Sequence, residues 1–108
     1  MVVDLELEEL KREFLAEAEQ KIAEIESKLA ERSPESLERL SYLAHQLKGS
    51  GGSYGFQRIS TDAAALESAI ERLAAGEAMD ETIRQHAVNL RSEVDRRSRE
   101  LAPHAAGA

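Results

Sequence analysis

The sequence predicts an all-α protein, an antiparallel bundle of four helices, and three observations carry that expectation. Apolar residues recur at three- and four-residue intervals in four separate stretches. No stretch alternates apolar and polar residues with the period of two that a half-buried strand requires. Aromatic residues make up only 4% of the 108 residues and Trp is absent, so the core must be built from Leu, Ile and Ala at helix interfaces.

The first helical stripe runs Leu7, Leu10, Phe14, Ala18, Ile22, Ile25 and Leu29, with Glu, Lys and Arg between; Asp4 is a candidate N-cap. The "ERSPES" segment ends this helix and starts the next, because Ser33 can cap and Pro34 suits a first helical position. The second stripe comprises Leu37, Leu40, Leu43, Ala44 and Leu47. The third, Phe56, Ile59, Ala63, Leu66, Ile70 and Leu73, stops at Gly76, where glycine accepts the left-handed conformation that follows a helix. Asp80 is a candidate cap for the fourth, whose stripe is Ile83, Ala87, Leu90, Val94 and Leu101. Each helix has one apolar face, and short connections let four such faces cover one another. One domain over residues 1–102 is expected, with 103–108 a disordered tail.

Composition excludes several functions. There is no Cys, hence no disulfide, thiolate metal site or Cys nucleophile. A formal net charge of -7 disfavours nucleic-acid phosphates. No apolar run approaches the roughly 18 residues of a membrane span, and a secretory leader pattern is missing at the N-terminus. A cytoplasmic monomer that binds neither nucleic acid nor membrane is the expectation. Carboxylate-bridged metal bundles use Glu-x-x-His, but Tyr42, Ile83 and Leu101 stand three residues before the three histidines, so no metal site is expected. The order Lys48-Gly49-Ser50 is not that of a phosphate-binding loop. Arg91, Arg96, Arg97 and Arg99 read as a solvated face near a helix C-terminus, and His86 as a boundary residue beside the fourth stripe.

The stretch "AHQLKGSGGSYGF", Ala44 to Phe56, is the anomaly: it holds four of the six glycines beside one histidine. At about 100° per residue, Leu37, Leu40, Ala44, Leu47, Gly51 and Tyr54 fall within roughly 60° of one direction, and His45 lies about 140° away, facing solvent. One turn back are Ser41 and Tyr42; one turn on are Lys48 and Gly49. Each glycine inside a helix costs about 1 kcal/mol relative to Ala. Pattern alone leaves two readings open: the helix stops at Lys48 and "GSGGS" is a linker, or it runs on and the glycines serve a purpose.

The segment His45 to Gly55 resembles the His-x-Leu-Lys-Gly-x5-Gly signature of histidine phosphotransfer (HPt) domains, and Phe56, Ile59, Ala63, Leu66 and Glu67 resemble that family's third helix. The resemblance implies a phosphorylatable His45 on the second helix. It would accept a phosphoryl group from a receiver aspartyl phosphate or a partner kinase and pass it to a response-regulator receiver aspartate. By the same resemblance Lys48 balances phosphate charge, Gly49 keeps access open, and Leu47 and Gly55 complete the motif. Ser41, Tyr42, Gln46 and Gly52 form a rim for partners, which are response-regulator receiver domains and a histidine or hybrid kinase. An imidazole, with a free pKa near 6.5, is substantially neutral at about pH 7, so a ring nitrogen can attack phosphorus. No intrinsic cofactor is expected; the receiver would bring Mg²⁺ and its own acid cluster. The chain carries no nucleotide-binding domain, so a phosphotransfer intermediate is expected rather than an ATP-dependent kinase. The rival reading is a non-phosphorylated helical adaptor that binds a signalling partner, with His45 incidental.

Overall fold

The computed structural model describes residues 5–31 and 33–101, which form four helices: α1 (Leu5–Lys28), α2 (Pro34–Ser53), α3 (Gln57–Ala74) and α4 (Asp80–Leu101). The helices pack in a ring, α1 against α2 and α4, and α3 against α2 and α4, so each covers the apolar stripe of two neighbours. Among the described residues no strand occurs. Asp4 and the tail from Pro103 lie outside the described residues.

Local chemistry sets the ends of the elements. Ser33 is the N-cap of α2, its hydroxyl accepting from Ser36 N at 3.1 Å, and Pro34 fills the opening position where no N–H is required. Two glycines with positive φ, Gly55 at 84° and Gly76 at 101°, close α2 and α3 in the same way. Phe56 N donates to Gly51 O and Gly55 N to Gly52 O; Glu77 N donates to Arg72 O and Gly76 N to Leu73 O. These paired bonds satisfy the last carbonyls of each helix, and glycine is needed at the left-handed position because a Cβ would be strained there.

Two expectations require correction. Asp80 is the first residue of α4 and not its cap: Ile83 N donates to Met79 O, which places the buried Met79 at the cap position. The α1 stripe enters the core only at Phe14. Leu7 and Leu10 stay 40% and 44% exposed. Among the described residues the first turns of α1 extend past the ends of the other helices, since Arg12 Nε already reaches Leu101 O at the end of α4 and Phe14 already meets Tyr54 and Phe56 at the α2–α3 turn.

From Phe14 onward the predicted stripes form one core, with Ile22, Ile25, Leu40, Leu43, Leu47, Ile59, Leu66, Ile70, Leu90 and Val94 all but inaccessible. Leu37, Leu73 and Leu101 pack on its margin. Phe14, Tyr54 and Phe56 seal one end, with ring centroids 5.5 and 5.6 Å apart. On the surface, bidentate pairs Arg39–Glu24 and Arg91–Glu26 join α1 to α2 and to α4. The arginine face of α4 is thereby largely occupied: Arg91 turns to α1, while Arg96 and Arg97 pair with Glu93 and Glu100 of their own helix.

Candidate functional site

Helix α2 runs unbroken through Gly49, Gly51 and Gly52 to Ser53, so the glycine stretch is helix and not linker. A regular helix therefore carries Leu43, Ala44, Leu47 and Gly51 into the core and turns His45 outward, its side chain 64% exposed. Lys48, one turn on, lies on the same side and is 39% exposed.

The glycines divide by environment. A Cβ built on Gly49 would meet nothing within 4 Å, so the surface beside His45 and Lys48 is open at that point. A Cβ on Gly51 would lie 3.2 Å from Ile59 Cγ2 and 3.3 Å from Ser60 N, closer than ordinary contact allows. Gly51 is thus bare so that α3 can approach. Gly52, expected on the open face, borders that seam instead, with Ser60 Oγ 3.5 Å from a Cβ placed there.

Close approach of α3 brings Glu67 to the site. Its carboxylate spans both site candidates on α2: Oε2 is 2.9 Å from His45 Nδ1 and Oε1 is 3.0 Å from Lys48 Nζ. Glu67 itself is only 14% exposed, which fixes the acceptor while the imidazole remains accessible. Because a carboxylate only accepts, Nδ1 carries the proton of this bond, and in the neutral form of the ring the lone pair is then on Nε2. That is the arrangement of a nucleophilic imidazole with its tautomer set by a neighbour.

The remaining predicted positions surround this cluster. Ser41 is half-buried and Tyr42 is 51% exposed. Gln46 Nε2 donates to Tyr42 Oη at 2.7 Å, and the Arg39 guanidinium lies 5.6 Å from the Tyr42 ring centre, so the aromatic ring stands braced beside His45. Leu47 is a core residue and Gly55 forms the α2–α3 turn. Among the described residues no three His, Cys, Asp or Glu side chains converge to hold a metal ion, and no helix is long and apolar enough to cross a membrane.

The family model of the Hpt domain matches residues 9–100, most of the chain and all four helices in whole or large part. The protein belongs to the Hpt domain family. No curated protein and no solved structure matches it. As an Hpt domain it has a histidine phosphotransfer role in two-component phosphorelay signalling, with receiver domains and kinases as its class of partner.

The contact of Glu67 with His45 and Lys48 is not legible from its place in the motif. The available signal was its position on the α2-facing side of α3, one residue off the stripe at Leu66; that becomes informative only once the register of α3 on α2 is known. Ser60, whose hydroxyl donates to Lys48 O at 2.8 Å, was missed for the same reason.

Proposed function

We propose that His45 is the phosphoryl carrier of a phosphorelay. It takes the group from a receiver aspartyl phosphate or a partner kinase and returns it to a response-regulator receiver aspartate. The observation that carries this reading is the 2.9 Å contact of Nδ1 with Glu67, which leaves Nε2 of a two-thirds-exposed imidazole as the nucleophile. In the forward step the Nε2 lone pair forms the N–P bond while the bond from phosphorus to the donor oxygen breaks, its electron pair leaving on that oxygen. The ring gains positive charge, and the Glu67 carboxylate at Nδ1 offsets it. Transfer onward reverses these changes on a new carboxylate.

The chain supplies a positioned nucleophile and little else. Mg²⁺ and the acid cluster come from the receiver, whose catalysis is mainly positioning and charge stabilisation. Gly49 leaves the approach clear, and Lys48 supplies positive charge beside the phosphoryl group. Ser41, Tyr42 and Gln46 form the rim on which a partner rests. Such a carrier does not dimerise through the His45 face, which would block it; a cytoplasmic monomer fits this reading, and dimers through other faces are compatible with it.

The test is label transfer from a phosphorylated receiver domain with Mg²⁺. Acid-labile, base-stable label on the protein that disappears in His45→Gln supports the carrier. No label from a broad receiver panel, with partner binding retained in His45→Gln, would leave a helical adaptor.

A further inference from the structure

Glu67 reaches His45 and Lys48 only where α3 lies close against α2, and the sequence secures that approach two helical turns away. Gly51 and Gly52 present bare backbone, and Ser60 sits on it: Ser60 N is 3.3 Å from the Cβ that Gly51 lacks, and Ser60 Oγ is 3.5 Å from the Cβ that Gly52 lacks. From this seat the Ser60 hydroxyl donates to Lys48 O at 2.8 Å, crossing from α3 to the backbone of the residue whose side chain pairs with Glu67. Ser60 and Glu67 share one face of α3, two turns apart. That face is therefore anchored at Ser60 and applied to the site at Glu67. Hydrogen bonds weaken quickly with distance and misalignment, so a small shift of α3 along or away from α2 is felt at His45 Nδ1.

We propose that Ser60 is a positioning residue for the His45 site. Seated on Gly51 and Gly52 and bonded to the Lys48 carbonyl, it sets the register and separation of α3 on α2 and so holds the Glu67 carboxylate at His45 Nδ1. Its value for phosphoryl transfer rests on the carrier role proposed for His45; the positioning itself can be read without any phosphoryl group.

The experiment uses the whole unphosphorylated chain, labelled with nitrogen-15, at a pH where the imidazole is neutral. Ring nitrogen shifts give the ratio of the Nδ1–H to the Nε2–H tautomer. The unaltered protein shows predominantly Nδ1–H. Ser60→Ala lowers the ratio by about three- to tenfold, the range expected when one charge-assisted hydrogen bond is weakened or lost. Ser60→Thr, which keeps the hydroxyl, restores it. Gly51→Ala keeps the hydroxyl but pushes against Ile59 and Ser60, and it lowers the ratio in the same direction; it decides the matter should Ser60→Ala not fold. A purely structural serine would lower the melting temperature and leave the ratio alone. An unchanged ratio in folded Ser60→Ala, or no recovery in Ser60→Thr, overturns the proposal, as does an unchanged Gly51→Ala ratio where Ser60→Ala cannot be measured. Absence of label on His45 in the transfer assay would remove the carrier role and leave this readout standing.

Discussion

Replacing Glu67 separates two contributions that the structure assigns to one carboxylate. Glu67→Gln keeps an oxygen that can accept from Nδ1–H but removes the charge; Glu67→Ala removes both. Fixing the tautomer has a bounded effect: two tautomers share the population of an unbound imidazole, so holding one raises the competent fraction by only about twofold. The charge can do more, because the ring becomes cationic as Nε2 bonds to phosphorus. A hydrogen bond to a charged group contributes about 1.5–3 kcal/mol where it is shielded. With His45 64% exposed, the lower end applies, about 1.5 kcal/mol or roughly tenfold in rate. Single-turnover transfer from a phosphorylated receiver should therefore slow about tenfold in Glu67→Gln and about twentyfold in Glu67→Ala. Transfer within twofold of the unaltered rate in both variants would refute the reasoning, because neither charge nor tautomer would then be limiting.

Gly49→Ala should stabilise the bundle by about 1 kcal/mol in urea unfolding, since a Cβ there touches nothing and helix propensity improves; the same methyl stands beside the site and should slow transfer by about tenfold or more. Gly55→Ala forces an L side chain onto a φ of 84° and should cost about 1–2 kcal/mol, read as a lower urea midpoint with unchanged slope. The Arg91 guanidinium, through its hydrogen bonds, holds the Glu26 carboxyl below its ordinary 4.5. A carboxylate depressed in the folded state stabilises above its unfolded value, and that contribution is lost as pH falls through the folded one. Acidification below about pH 4.5 should thus remove at most about 1 kcal/mol through this exposed pair, and Arg91→Met should remove that part of the acid sensitivity.

How much could be read beforehand follows from how many helices each feature involves. The caps at Ser33 and Pro34, the stop at Gly76 and the outward direction of His45 on a regular helix each depend on one helix and its ends, where periodicity and backbone chemistry suffice. Gly51 and Tyr54 stay on the apolar stripe of α2 beyond Lys48, which favours a continuous helix but does not by itself decide against one that stops at Lys48. The exposure of Leu7 and Leu10 depends on where α4 and the α2–α3 turn end beside α1, which the α1 stripe does not contain. Glu67 and Ser60 require the register of α3 on α2, which is set by side-chain interdigitation between helices and by the missing Cβ atoms at 51 and 52. At Asp80 the residue type favoured a cap, but burial of Met79 drew the chain into the helix one residue earlier.

The cluster also changes the meaning of Lys48. The resemblance to HPt domains implies a cation held ready for a phosphoryl group; in the structure it is already engaged, 3.0 Å from Glu67. Exposure rises across the cluster from Glu67 at 14% through Lys48 at 39% to His45 at 64%. That gradient suits a carrier, because the acceptor must be shielded enough to keep its place while the nucleophile must be reachable. Shielding a carboxylate has a desolvation cost, which the Lys48 ammonium at Oε1 offsets. Lys48 therefore acts first on Glu67, before any phosphoryl group arrives. In the proposed carrier a phosphoryl group on Nε2 would add a second anion on the side of α2 that carries Lys48, so that one lysine would serve the empty and the loaded site.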